Sequence, residues 1–411
     1  MKRDAHDIRN DFACLVNTQA AYLDTAATSQ TPRVVLDAMG AYYETFRANI
    51  HRGLYASAEE ASVRYEDART KVARFIGAES GEIIFTASAT AASNMLTYAL
   101  EQTLDLPTGQ AGLQQGDEVV LSVAEHHASL VPLQELARRK GLVLRFIPLG
   151  EDFDLDYAQA ETVIGERTKI VSVMLASNVT GRIFDVARVA RLAHTHGATM
   201  IVDATAAVGP IQVDVKKLEC DFLYFSGHKM CGPTGIGVLY GTQDKLATLH
   251  PSFFGGSMID RVLPESSTWA AGVARFEAGT PPIAEAIGLG AAIDYLQGID
   301  VSDIHAHVAE LVSYAQAQLA GVEGVRVLCP QSADDNVGIV SFAHNTIHPH
   351  DIAQVLAKHN VAIRAGHHCA MPFMDALGVV ATARLSVYLY TTKEDIDRLV
   401  AALHDALQTF K

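Results

Sequence analysis

Between residues 82 and 240 the chain alternates short, continuous apolar runs with longer stretches of helical spacing. The runs at 82–85, 118–123, 143–147, 169–174, 199–203, 222–225 and 237–240 predict strands. The stretches 88–104, 129–139, 155–164 and 186–196 predict the helices between them. Strands without polar alternation, separated by helices, imply a mostly parallel sheet covered on both faces. Ligands of such sheets gather beyond the carboxyl ends of the strands. His126, Asn178, Asp203 and Lys229 all fall just past a predicted strand end.

Around this block the texture differs. Residues 18–32 predict a short strand and a turn of small residues, 32–45 a helix, 47–57 an ordered loop and 59–76 a charged amphipathic helix. Beyond about residue 265 come helices at 283–297, 303–319, 350–359 and 393–408, with strands at 325–328, 338–342, 362–364 and 383–387. The expected organisation is an N-terminal arm (1–20) packing with the smaller domain, a large domain (21–280) and a small α+β C-terminal domain (281–411). No disordered linker marks the junction, so a rigid one is expected.

The 411 residues are 49% hydrophobic, ample for a large core. A formal net charge of −15 argues against a nucleic-acid or anionic-membrane surface. No run approaches the roughly 18 apolar residues a membrane span needs, and the N-terminus shows no signal-peptide core, so a cytoplasmic location is expected. The five cysteines (14, 220, 231, 329 and 369) form no C-x-x-C pair, which fits free thiols in a reducing compartment.

Candidate chemistry concentrates in a few segments. YFSGHKMCGPTGIG (224–237) places Lys229 in a run with almost no other charge; a lysine stripped of water there has a lowered pKa and an amine free for Schiff-base chemistry. TASATAASN (86–94) joins a strand to a helix and serves either as an ordinary N-cap or as a phosphate site of open N–H groups. AEHHASLVP (124–132) offers His126 as a ring-stacking or a structural imidazole; with no ligand-spaced partners it is not a metal site. Asp203 ends a buried strand and needs a cationic or N–H partner, or else caps a helix. In RAGHHCAMP (364–372), Cys369 follows two histidines, and neighbouring cations would favour its thiolate. Arg384, inside a strand, needs an anion.

Taken together and in order, YLDTAAT, ANIHRG, EIIFT, EHHASLVP, RTKIVSV, SNVTG, SGHKMCGPTGIGVLYG, RFEAGTP, AIGLGAAIDYL, RAGHHCAMP and YTTKEDIDRL resemble the cysteine desulfurases of the SufS and CsdA branch, which also show selenocysteine lyase activity. The resemblance spans nearly the whole chain. It implies an α/β protein of the PLP-dependent transferase fold type I, with a mostly parallel seven-stranded sheet, working as a homodimer with pyridoxal 5'-phosphate (PLP). Position by position, Lys229 matches the lysine that binds PLP covalently, Asp203 the acid at its ring nitrogen and His126 the histidine stacked on the ring. Ala89, Thr90, Ser226 and His228 match the phosphate site, with Thr280 reaching in from the partner subunit. Asn178, Arg364 and Arg384 match groups near the substrate carboxylate, and Cys369 the cysteine that takes the sulfur. The implied activity converts L-cysteine to L-alanine with a persulfide on Cys369, for delivery to an acceptor protein of the SufE type and iron-sulfur cluster assembly or a related use. The alternative is a related PLP lyase that acts by elimination on cystine, selenocysteine or another substrate. Four departures stand out: Ala206 where the family has a glutamine near PLP, Ala89-Thr90-Ala91 for T-T-E, Tyr55 for a histidine, and Cys231 for an aromatic residue.

Overall fold

Seven strands form the central sheet of the computed structural model, which describes Met1, residues 3–104 and residues 112–410. They are β1 (Ile83–Thr86), β2 (Glu118–Ser122), β3 (Val143–Ile147), β4 (Thr168–Met174), β5 (Thr199–Asp203), β6 (Phe222–Ser226) and β7 (Gly237–Gly241), in spatial order β1-β7-β6-β5-β4-β2-β3. All run parallel except β7, which is antiparallel to both neighbours. Every residue of β1, β2, β6 and β7 is buried, which is why these strands are continuous apolar runs. The edge strand β3 has exposed positions. Successive side chains go to opposite faces: Ile83, Phe85, Val120, Leu223 and Phe225 join the larger apolar cluster, while Ile84, Val119, Leu121, Phe222 and Tyr224 join the smaller one.

Five helices bear on the site: α1 (Arg33–Thr45), α2 (Ala56–Phe75), α3 (Ala89–Leu104), α4 (His127–Lys140) and α5 (Ile283–Ile299). α3 and α4 pack together on the smaller cluster. α5, apolar nearly all round, lies across α1 and α2. Glu277, just ahead of α5, forms a bidentate pair with buried Arg69 of α2 at 2.7 and 2.9 Å. It also accepts the N–H of Phe85 at 2.7 Å, so one carboxylate ties α2 to β1.

A second sheet holds β8 (Val325–Leu328), β9 (Ile339–His344), β10 (Arg364–Gly366) and β11 (Thr382–Ser386), antiparallel in the order β8-β9-β11-β10. The single strand expected at 362–364 is two pieces, because Val361–Ala362 leaves this sheet to pair with Ala21–Tyr22. The chain's beginning is thereby sewn to its end: Leu23 N–H donates to Ala362 O at 2.9 Å, and Ser386 N–H donates to Leu23 O at 2.8 Å. Arg9 adds an ion pair to Asp395 at 3.0 Å. Short elements absent from the periodicity include helices Ala5–Arg9, Ala13–Thr18 and Met371–Leu377 and the hairpin Ile259–Val262/Ser267–Trp269. No helix among the described residues is long and apolar enough to cross a membrane.

Candidate active site

A cavity of about 310 Å³ opens where the carboxyl ends of β4, β5 and β6 meet the second sheet. Ala89, Thr90, His126, Asn178, Asp203, Ser226, His228, Lys229, Arg364, Cys369 and Arg384 all line it, so eleven of the twelve residues singled out from sequence are brought together. Thr280 is the exception. It is exposed, outside this cavity, and its hydroxyl lies 3.4 Å from Asn49 Nδ2.

β6 ends at Ser226, whose hydroxyl accepts the Ala89 N–H at 2.7 Å and so fixes the first turn of α3. This turn packs without slack. A Cβ on Gly237, the first residue of β7, would lie 2.4 Å from the carbonyl carbon of Ser88. Past Ser226 a single 3-10 turn, Gly227–Lys229, delivers His228 and Lys229. The turn is clamped from outside, since His228 O accepts Ser29 N–H at 2.9 Å and Ser29 Oγ–H at 3.0 Å. Lys229 Nζ has no hydrogen-bond partner among the described residues; burial, reinforced by Arg384, brings its pKa down to about 8. His228 is lowered to about 4, chiefly by burial and then by Lys229.

Asp203 at the tip of β5 is buried, and its Oδ1 accepts the Thr205 N–H at 2.9 Å. Burial raises its pKa, while Thr205 and the charge of Lys229 oppose the shift. His126 follows β2 and caps α4, its Nδ1 accepting the Ala128 N–H at 3.0 Å. It is neutral, with a pKa near 4 set by burial and Lys229. The cap also explains why α4 begins at His127 rather than at 129.

On the opposite wall, Arg384 is 3% exposed and donates to Asn178 O at 2.6 Å. Burial lowers its pKa to about 10. Its Nε and the Oδ1 of Asn178 are buried without partners, as is Thr205 Oγ1. Arg364 reaches Asp24 through Nε at 3.3 Å and NH2 at 2.8 Å, and Arg384 lies 3.6 Å from the same carboxylate. Cys369 is exposed on the loop between β10 and Met371–Leu377. His368 beside it is held neutral, its pKa lowered to about 3 by burial and Arg384. The positive charge facing the thiol therefore comes from Lys229, Arg364 and Arg384, and not from His368 as the motif alone suggests.

Two acids escaped sequence reasoning. Asp24 lies in the quoted YLDTAAT, but nothing local shows that it faces two arginines that follow it by hundreds of residues. Glu125 precedes His126 and is wholly buried; its Oε1 accepts from Ser122 Oγ and from Met174 N at 2.9 Å, and burial pushes its pKa up to about 8.

The orphaned polar atoms suit a flat, anionic, nitrogen-containing guest. A lone, half-buried amine, a buried carboxylate at a strand tip, a neutral imidazole and the positive N-terminal end of α3 are the groups PLP requires.

Comparison with known proteins is consistent with this geometry. Residues 21–399 match the model for the aminotransferase class-V family. A protein of Halalkalibacterium halodurans described as a probable cysteine desulfurase is 45% identical over 99% of both chains. Among solved structures, the apo cysteine desulfurase of Thermococcus onnurineus superposes with a TM-score of 0.93 at 38% identity, covering 99% of each chain. The cysteine desulfurase CsdA of Escherichia coli superposes with a TM-score of 0.90 at 36% identity, also over 99% of each.

Proposed function

This chain belongs to the class-V aminotransferase family, and from that membership we infer a PLP-dependent cysteine desulfurase that converts L-cysteine to L-alanine and collects the sulfur on Cys369. One observation carries the reading: a thiol, a lone half-buried lysine and two arginines share a single cavity.

Lys229 would hold PLP covalently, with Asp203 toward its ring nitrogen and His126 over the ring. Ala89, Thr90, Ser226 and His228 would surround its phosphate. When bound, PLP supplies an electron sink for charge that develops at the substrate's Cα. Arg384 and Arg364 take the substrate carboxylate, and the unpartnered Nε of Arg384 is available to it. Asn178 holds Arg384 in place through its carbonyl. With its pKa near 8, Lys229 can take and return a proton at Cα close to neutral pH. The Cys369 thiolate attacks the substrate sulfur. An S–S bond forms as the Cβ–S bond breaks, and the electron pair left on Cβ is protonated to the methyl group of alanine. The persulfide on exposed Cys369 can then be passed to an acceptor, in this reading a protein of the SufE type serving iron-sulfur assembly or a related use. Thr280, exposed and outside its own cavity, is free to complete the site of a second copy, which supports a homodimer.

The test is incubation with L-cysteine. One alanine per sulfur taken, with a persulfide that depends on Cys369, is expected. Pyruvate from cystine or cysteine with Cys369 dispensable would instead identify an eliminating lyase.

A further inference from the structure

The loop that carries Cys369 is held in an unfavourable shape by a residue the mechanism above does not use. His368 and Cys369 both have left-handed backbone, with φ of 52° and 56°. Two consecutive non-glycine residues in that region persist only where their surroundings enforce it. Four side-chain contacts and one backbone contact do so here. Asn178 Nδ2 donates to His368 O at 2.7 Å, and His368 Nε2 lies 2.8 Å from Thr382 Oγ1. The Cys369 N–H donates to His367 Nδ1 at 3.1 Å. The other two contacts come from one residue, His127. Its backbone N–H donates to Cys369 O at 2.7 Å, and its Nε2 accepts the Met371 N–H at 3.1 Å. His127 thus grips the main chain at Cys369 and again two residues later, and its ring lies 5.7 Å from that of His367.

We propose that His127 is a positioning residue for sulfur transfer: its imidazole and backbone hold the left-handed turn at Cys369 and so keep the thiol at the mouth of the cavity that contains Lys229. The coupling is short. His127 opens α4 and directly follows His126, so the residue placed over the cofactor and the residue that grips the cysteine loop share one peptide bond. Accepting from Met371 requires a free lone pair on Nε2, hence the neutral ring. Burial and the neighbouring His367 favour that form by lowering the pKa of His127. The part of the proposal that concerns sulfur rests on the desulfurase reading; the grip on the loop does not.

The experiment uses the cofactor-loaded enzyme and three variants, His127→Ala, His127→Gln and His367→Ala. In the absence of substrate, the rate of Cys369 alkylation by iodoacetamide is followed by mass spectrometry. With L-cysteine, kcat and KM for alanine formation are measured. His127→Ala should change the alkylation rate at least fivefold and lower kcat at least tenfold, with KM and the absorbance of the bound cofactor held within twofold. His127→Gln, whose amide oxygen can accept from Met371, should recover most of both losses. Alkylation and kcat within twofold of wild type in His127→Ala, or a Gln variant no better than Ala, overturn the proposal. Should His127→Ala not fold, His367→Ala decides in its place, since it removes the acceptor of the Cys369 N–H and should change alkylation in the same direction. Absence of alanine from the wild-type enzyme would sink the desulfurase reading, yet the alkylation rates would still decide whether His127 holds the loop.

Discussion

At the scale of single residues, the five cysteines separate cleanly. Burial pushes Cys220 up to about 12 and Cys329 up to about 11, and raises Cys231 further. These three stay protonated and unreactive at neutral pH. Cys231 is close to Lys229 in sequence, but it is fully buried and does not line the cavity. Cys369→Ser should therefore bind L-cysteine yet release almost no alanine and form no persulfide, while Cys231→Ser keeps at least a third of wild-type alanine release. A dead Cys231 variant beside an active Cys369 variant would show that the acceptor had been misplaced. Lys229 gives a second test. Its amine titrates near pH 8, well below an ordinary lysine at 10.5, so in cofactor-free enzyme at pH 8 a small amine-directed reagent should modify it ahead of surface lysines. Labelling spread evenly over the lysines would contradict the lowered pKa. Residues of this kind were legible in the sequence because each is a chemical oddity in a bare or apolar segment. Asp24 and Glu125 were not, since their importance comes from partners supplied by other parts of the fold.

At the scale of elements, the seven sheet strands could be located because both faces are buried and the apolar runs are unbroken. Their ends shift by at most one residue, while the start of α4 moves by two, because capping by His126 and not hydrophobicity decides that boundary. The helices Ala5–Arg9, Ala13–Thr18 and Met371–Leu377 are too short to show a period, and the hairpin Ile259–Val262/Ser267–Trp269 is largely exposed, so no apolar face announces it. Tight packing between elements was likewise invisible. β7 presses on the turn before α3 at Gly237, and the placing of Ala89 and Thr90 at the cavity wall depends on the contact. Gly237→Ala should push Ser88 aside, cost roughly 1–3 kcal/mol of stability, and weaken PLP binding at least tenfold. Unchanged binding and unchanged denaturant midpoint would show that the backbone can yield there.

For the molecule as a whole, Arg69 and Glu277 fasten α2 and β1 to the segment that leads into α5. Arg69→Met leaves a carboxylate that is largely buried and without its cation, so a loss of roughly 3–5 kcal/mol is expected by urea unfolding; a loss below about 1 kcal/mol would mean that water reaches Glu277. Acid should also loosen the cofactor-free protein. His126 and His228 titrate near 4 and His368 near 3 when folded, against 6.5 when unfolded, so the unfolded chain binds more protons as pH falls from 6.5 towards 4. Glu125, near 8 when folded, and Asp203, also raised by burial, act in the opposite direction, but the three histidines, joined by His127 and His307, outweigh the two carboxyls. The unfolding free energy should therefore be lower at pH 5 than at pH 6.5, and a flat or rising profile would refute the balance. The sewing of residues 21–24 to strands beyond residue 360 has a consequence for the order in which the protein is made. A ribosome releases the first strand several hundred residues before its partners exist, so Asp24 must wait for Arg364 and Arg384 while the central sheet is already free to form. The substrate side of the cavity, with Arg364, Cys369 and Arg384, is then a late product of synthesis, closed only when the last segments emerge. Nascent chains stalled before residue 380 should hold a protease-resistant sheet yet, lacking Arg384, release no alanine from L-cysteine.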